Sequence, residues 1–424
     1  MRHVIIGNGP AGVTAAETLR KHRPHDDIVM IGDETEPPYS RMAIPYLLTG
    51  KIGEAGTYLR KDPNHWDALG IRRVTGRVTS LSTSPRRVSV SEGQSFDFDT
   101  CLIATGSSPV RPSVPGIDSP FVQTCWTMSD ARKIMQLARP GARVLQMGAG
   151  FIGCIIMEAL ALRGVKLTVV EMGDRMVPRM MDQTAGTLIR QWCEAKGVAV
   201  RTGTRVDAIE PAQAVRVRFS DGSTQEYDLV IQATGVRPNI GFLSGSDVKC
   251  LQGVLTDERM QSSVEGVYAG GDCAEAFDVA SGKTIVSAIQ PNAVDQGYVA
   301  AINMAGGQGR LKGVTQINVL DTLGLVATSF GNWQGVPGGE HAQMCDPQRF
   351  KYLRLEFDGD RLVGSNSLGM TEHVGVLRGL VERGVPLGPW KEQLMQDPTR
   401  LMQAYLASAQ AQEDWQGRSR GSSK

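Results

Sequence analysis

Val4-Ile5-Ile6-Gly7-Asn8-Gly9-Pro10-Ala11-Gly12 opens the chain, and its design returns in Val144-Leu145-Gln146-Met147-Gly148-Ala149-Gly150-Phe151-Ile152-Gly153. Each is an apolar run ending in a GxGxxG turn, and each turn leads into a stretch of helical periodicity. A further apolar run closed by an acid follows each helix. Ile28-Val29-Met30-Ile31-Gly32 leads to Asp33, and Leu167-Thr168-Val169-Val170 leads to Glu171. In such a unit the first glycine makes a tight turn, the second lets backbone approach a pyrophosphate and the third lets helix pack on strand. The helix N-terminus offers unpaired N–H groups and the positive end of its dipole to the phosphates. The acid, about 20 residues on, accepts hydrogen bonds from ribose hydroxyls. One GxGxxG carries little weight, because glycine turns between strand and helix also arise for packing. Two complete strand–turn–helix–strand–acid units predict an α/β chain that binds two dinucleotides.

The 424 residues exceed what one core accommodates and predict two or three domains. Apolar content of 41% and charged content of 21% are ordinary for a globular protein. A formal net charge of +1 gives no electrostatic basis for binding nucleic acid or an anionic membrane. Met1-Arg2-His3 leads straight into the first core strand, with no leader pattern. The longest apolar helix, residues 151–162, is interrupted by Glu158 and is too short to span a bilayer. Seven cysteines, an odd number without close pairing, argue against a disulfide framework and predict a cytoplasmic protein. No metal site is expected.

The first unit closes with the strand Cys101-Leu102-Ile103 and Ala104-Thr105-Gly106, followed by a proline-studded stretch, residues 109–115, that reads as a linker. The second closes the same way, with Leu229-Val230-Ile231-Gln232 and Ala233-Thr234-Gly235. This is an internal duplication at domain scale. Val267-Tyr268-Ala269-Gly270-Gly271-Asp272 lies beyond it and puts a carboxylate at the end of a small-residue strand, where backbone can approach a ligand. From residue 312 a separate α+β module is predicted, with a strand at 351–357, a turn at Asp358-Gly359-Asp360 and a second strand from Arg361. Helical periodicity covers residues 374–381 and 390–406. The polar tail 411–424 is predicted to fray.

These motifs resemble those of the two-dinucleotide-fold flavoproteins, the FAD-dependent pyridine nucleotide-disulfide oxidoreductases. The pattern is most similar to ferredoxin and rubredoxin reductases and to the flavin portion of assimilatory nitrite reductases. NADH oxidases and CoA-disulfide reductases share it. The resemblance is specific over residues 1–311 and loose beyond. It implies two Rossmann-like dinucleotide-binding domains of the three-layer ββα type plus a C-terminal α+β interface domain. Residues 1–112 and 246–311 would form a discontinuous FAD domain, 113–245 an NAD(H) domain and 312–410 the interface domain. Carried over by motif, Gly7, Gly9, Pro10, Ala11 and Gly12 meet the FAD pyrophosphate, Asp33 the adenosine ribose, and the backbone of Val78 the adenine. Gly271 and Asp272 meet the ribityl chain and phosphate. Arg41, Ala104, Thr105, Gly106 and Gln290 complete this set, Gln290 within a segment, 289–296, that resembles the one lining the flavin ring. Gly148, Gly150, Phe151, Ile152, Gly153, Glu171 and Gly235 form the NADH set. A carboxylate at 171 hydrogen-bonds a free 2′-hydroxyl and repels a 2′-phosphate, so NADH is expected over NADPH. Arg175 reads as part of a solvated loop.

Three departures bear on what the chain does. Where relatives carry a redox cysteine, this sequence reads Tyr39-Ser40-Arg41-Met42-Ala43-Ile44-Pro45-Tyr46, so thiolate chemistry beside the flavin is not expected. Cys101, Cys154 and Cys273 read as core residues. A lysine–glutamate pair common in ferredoxin-reductase relatives is replaced by Tyr46 and Ile155, and losing both partners costs far less than losing one. Glu158, three residues after Ile155, reads either as a substitute for the missing glutamate or, the preferred reading, as a surface residue. Trp126 stands where some relatives place an FAD-contacting arginine. Hydride transfer between cofactors needs no side-chain acid or nucleophile, so no catalytic residue is named. The expected acceptor is a small electron-carrier protein of ferredoxin or rubredoxin type. A small molecule (oxygen, a quinone or a sulfur compound) is the alternative, as is a role as flavin-binding subunit of a larger redox complex. The apolar stretch 317–325 reads as core or as a face for a partner or dimer mate.

Overall fold

The computed structural model describes residues 1–279, 281–314 and 317–408; the tail predicted to fray lies outside the described residues. The chain is α/β and divides into two compact units. One comprises Met1–Arg111, Thr124–Met135 and Gly235–Val314; the other comprises Pro112–Gln123, Gln136–Thr234 and the C-terminal segment.

Each unit is built on a parallel sheet of the same order. In the first, the strands run Ile71–Thr75, Asp27–Gly32, Arg2–Ile6, Thr100–Ile103 and Val267–Ala269. In the second, Ala199–Arg201, Lys166–Val170, Arg143–Met147 and Leu229–Gln232 repeat the first four positions. Thr100–Ile103 and Leu229–Gln232 are buried along their whole length, as strands covered on both faces must be. Each unit also carries a three-stranded antiparallel sheet, Val78–Thr83 with Arg86–Val90 and Ser95–Asp97, and Val206–Pro211 with Val215–Phe219 and Thr224–Tyr227. Val215–Phe219 alternates buried and exposed, so one face of its sheet is wet. The duplication seen in the sequence is therefore a duplication of topology.

In the first unit the helix Gln290–Met304 lies against the glycine-turn helix Pro10–His22. A Cβ on Gly297 would come within 2.3 Å of the Ala11 carbonyl oxygen, so only glycine permits this approach. The proline-studded stretch is fastened rather than loose. Ile209 N–H donates to Pro115 O at 2.8 Å, and a Cβ on Gly116, whose φ is +81°, would strike Ile209 O.

The C-terminal module holds a five-stranded antiparallel sheet in the order Ile317–Thr322, Leu325–Gly331, Arg361–Leu368, Lys351–Asp358, Glu340–Asp346. Its predicted hairpin turns at Gly359, with φ +57°. One face packs Phe330, Leu353 and Leu355 against Leu377 of the helix Val374–Arg383 and Leu394 of the helix Trp390–Gln396. The helical run expected over 390–406 is broken. Pro398 disfavours helical backbone at Asp397, which takes φ −143° and ψ 96°. The Asp397 carboxylate then accepts from Thr399 N–H at 3.0 Å and starts a separate helix at 401–408. The apolar stretch 317–325 includes the edge strand of the sheet. Leu320 is buried, Val319 is about half exposed, and the strand runs beside the helix Phe151–Leu162.

Candidate functional site

The two glycine turns superimpose as designs, and the reason for each glycine can be read from what a side chain would meet. A Cβ on Gly7 would sit 2.0 Å from Ala104 O, and one on Gly12 would sit 2.0 Å from Gly7 O. In the second turn a Cβ on Gly148 would sit 2.3 Å from Ala233 O, and one on Gly153 would sit 2.5 Å from Gly148 O. These four are glycine because the protein itself leaves no room. Gly9 and Gly150 differ. A Cβ on either meets nothing within 4 Å, and their backbones (φ −76°, ψ −172° and φ −75°, ψ −173°) are extended conformations open to any residue. Neither the fold nor the backbone demands glycine there, so the space is left for something outside the chain.

What that something is follows from the helix ends. Pro10–His22 and Phe151–Leu162 both begin at these glycines, without a side-chain cap and without an acidic residue in the first turn. Their leading N–H groups carry no side-chain cap, which suits a pyrophosphate. Phe151 and Ile152 form the first turn of the second helix, half-buried, as Pro10 and Ala11 open the first.

Around the first turn the expected residues converge. Gly7 N–H donates to Ile31 O at 2.7 Å and Ala104 N–H to Ile6 O at 2.7 Å. Asp33 follows the strand end Gly32, which pairs with Thr75, and Gly76 N–H donates to Gly32 O at 2.8 Å, bringing Val78 to the same end. Thr105 and Gly106 are tied to Asn239: Thr105 Oγ1 donates to Asn239 O at 2.8 Å and Asn239 N–H to Gly106 O at 2.9 Å. Gly106 (φ +64°) and Gly235 (φ +101°) both carry left-handed backbone facing open space. Gly271 (φ +82°) gives its N–H to Gln296 Oε1 at 2.7 Å, which orients Asp272 beyond it. Burial pushes the Asp272 carboxyl up, while the Ser107 hydroxyl, donating to Oδ2 at 2.9 Å, and the charge of Arg41 work the other way. Gln290 begins its helix and accepts from Ser40 Oγ at 2.7 Å.

Arg41 is held from four sides. Nη2 pairs with Glu34 at 2.7 Å, Nη1 donates to Trp126 O at 2.5 Å and Tyr39 Oη at 3.1 Å, and the guanidinium lies over the Tyr39 and Trp126 rings, 5.5 Å from each. Arg41 thus places a cation beside Trp126. Tyr39 Oη also donates to Glu34 at 2.6 Å, and burial drives its pKa up, so it stays a phenol.

At the second turn Glu171 is set by backbone. Oε2 accepts from Ala149 N–H and Oε1 from Gly173 N–H, each at 2.8 Å. Two expectations are corrected nearby. Arg175 lies on a loop with exposed neighbours, but its own side chain is partly covered: Nε donates to Met181 O at 3.0 Å and Nη1 to Asp174 at 2.8 Å. Glu158 does not face the surface; its carboxylate accepts from Leu323 N–H at 3.3 Å, because the C-terminal edge strand covers that side of the helix. A distant segment covers Glu158, whereas Arg175 is held by its own loop.

Five of the seven thiols are sequestered by position. Cys101, Cys125, Cys154, Cys193 and Cys273 are buried, Cys250 is partly so, and Cys345 is exposed. Burial raises the pKa of each of the buried five, that of Cys125 to about 12. Gln296, Asn239, Ser107 and Glu34 are the residues the sequence reading missed. Only Gln296 had a signal, as a polar residue on the buried side of an otherwise small-residue helix.

Residues 1–308 match the family described as pyridine nucleotide-disulphide oxidoreductase. The chain belongs to that family. It is 30% identical to NADH-dependent phenylglyoxylate dehydrogenase subunit epsilon of Aromatoleum evansii, over 94% of this chain and 95% of that one. It is 31% identical to an NADH oxidase of Methanocaldococcus jannaschii, over 80% and 79%. Among solved structures, a NAD-dependent persulfide reductase from A. fulgidus aligns with a TM-score of 0.85 at 28% identity, covering 92% of this chain and 78% of that one. The chain is accordingly a flavin-dependent oxidoreductase whose cofactors are FAD and NADH. Among the described residues, no helix is long and apolar enough to cross a membrane.

Proposed function

We propose that this chain takes hydride from NADH and passes the electrons to a protein-borne redox centre, either a small carrier or a partner subunit. The absence of any cysteine in the segment 39–46 carries the choice of acceptor. When bound, FAD accepts a hydride from NADH and releases single electrons, so it joins a two-electron donor to one-electron acceptors. The residues of the chain bind, orient and exclude water. Gly7, Gly9, Pro10, Ala11 and Gly12 would hold the flavin pyrophosphate, Asp33 the ribose, Val78 the adenine, and Asp272, fixed by Gln296 and Ser107, the ribityl hydroxyls. Arg41, Thr105, Gly106 and Gln290 would border the ring. Gly148, Gly150, Phe151, Ile152, Gly153, Glu171 and Gly235 would hold the nicotinamide nucleotide. Full-length similarity to a subunit of an NADH-dependent dehydrogenase supports a partner subunit as acceptor. Similarity to an NADH oxidase favours dioxygen as a second reading. Unpaired, buried cysteines support a cytoplasmic setting.

Anaerobic NADH is expected to bleach the flavin, and an oxidised ferredoxin or rubredoxin to restore its colour. Prior treatment with iodoacetamide should leave both steps intact, since five of the seven thiols are buried and none lies in the segment 39–46. Failure of NADH to bleach the flavin removes the reading. Turnover with dioxygen as fast as with any carrier moves it to the oxidase alternative. Loss of carrier reduction on alkylation restores a thiol route. Separately, Glu171→Gln is expected to narrow the preference for NADH over NADPH by on the order of tenfold, by removing one charge close to a 2′-phosphate. The ratio of the two kcat/KM values measures it, and an unchanged ratio denies Glu171 the role.

A further inference from the structure

The loop that follows Glu171, residues 172–182, is fastened at both ends. At one end it meets the second glycine turn: Val177 N–H donates to Ala149 O at 2.8 Å, between the turn's first two glycines. Val177 has φ +50°, a left-handed conformation that a β-branched residue keeps only when its surroundings impose it. Met180 and Met181 N–H donate back to Val177 O at 2.9 and 3.0 Å, and Met176, Val177, Met180 and Met181 are all buried.

At the other end the C-terminal sheet takes hold. Asn366, fully buried in the strand Arg361–Leu368, donates from Nδ2 to Met180 O at 3.0 Å, and its Oδ1 accepts from Asp182 N–H at 3.1 Å. Its amide thus gives the loop one donor and one acceptor, as a neighbouring strand would. Tyr352, on the adjacent strand Lys351–Asp358, donates its hydroxyl to the Asp182 carboxylate. Asp182 in turn caps the helix Gln183–Ala195 through Ala185 N–H at 2.9 Å. A continuous line of hydrogen bonds therefore runs from the C-terminal sheet to the backbone of the turn.

We propose that Asn366, assisted by Tyr352, is a positioning residue for the nicotinamide nucleotide: the C-terminal sheet sets the loop that braces the second glycine turn. This rests on reading that turn as the NADH site. The loop cannot hold Val177 in its left-handed state by itself; the grip on Met180 and Asp182 keeps it there. With Asn366→Ala, Met180 O and Asp182 N–H lose their buried partners, the loop relaxes, and the contact to Ala149 O loosens.

The test uses full-length, FAD-loaded protein and the variants Asn366→Ala and Tyr352→Phe, with calorimetric titration of NAD+ and trypsin cleavage after the exposed Arg179 as readouts. For Asn366→Ala, NAD+ affinity is expected to fall by about tenfold, the scale of a buried hydrogen bond left unmade. KM for NADH rises while kcat at saturation holds, flavin content is unchanged, and cleavage after Arg179 accelerates. Tyr352→Phe, which removes one hydroxyl, moves both readouts the same way by less, and it decides the matter if Asn366→Ala does not fold. Variants with wild-type NAD+ affinity and wild-type cleavage, from a parent that binds NAD+, overturn the proposal alone. A parent that binds no NAD+ overturns the reading of the site and the proposal with it.

Discussion

Gly9→Val is expected to yield a folded, colourless protein. The added side chain starts in open space, because a Cβ at Gly9 has nothing within 4 Å, and the backbone at φ −76° suits any residue. The fold has no reason to reject it. A pyrophosphate drawn to the start of the helix Pro10–His22 would meet the added methyl groups first. We expect a loss of about 3 kcal/mol or more, at least about a hundredfold in FAD affinity, with circular dichroism and melting temperature close to the parent's. Gly7→Ala supplies the contrast. Its Cβ would lie 2.0 Å from Ala104 O on a backbone of φ +116°, so that variant is expected to be insoluble or unfolded. Flavin absorbance of the purified proteins distinguishes the two. A yellow Gly9→Val protein with parental flavin content would mean that FAD binds elsewhere.

The matching change in the second turn is expected to separate the two cofactors. Gly150→Val occupies the equivalent open space, at φ −75° and ψ −173°. The product should be folded and fully yellow, and dithionite should bleach it while NADH does not. The loss in NADH affinity is again about 3 kcal/mol or more. Parental bleaching by NADH would show that this turn does not receive the nicotinamide nucleotide. Together the two variants assign one cofactor to each cradle, which the turns' shared geometry does not do.

Much of this architecture is legible in the sequence because backbone sterics wrote it there. Gly7 and Gly12 leave no alternative to glycine, so the turn, its strand and its helix are read together from one short stretch. Cys101-Leu102-Ile103 announces a doubly covered strand by its unbroken apolar run. What escaped notice depends on segments far apart in the chain. Glu158 reads as a surface residue until Leu323 covers it. Asn239 and Asn366 are polar residues with no local pattern, and their roles exist only where a distant backbone group meets them. Pro398 is the exception. The helix break at Asp397 was written locally, but the apolar periodicity on either side overrode it.

The peptide Gly7-Asn8-Gly9-Pro10-Ala11-Gly12 and the peptide Gly148-Ala149-Gly150-Phe151-Ile152-Gly153 differ only between their glycines, and their central torsions agree to within a degree. As backbone they are interchangeable parts. The side chains between the glycines are another matter: Ala11 is crossed at contact distance by Gly297, so an Ile there, as at 152, has no room, and each socket is fitted to its own half by its side chains rather than by its backbone.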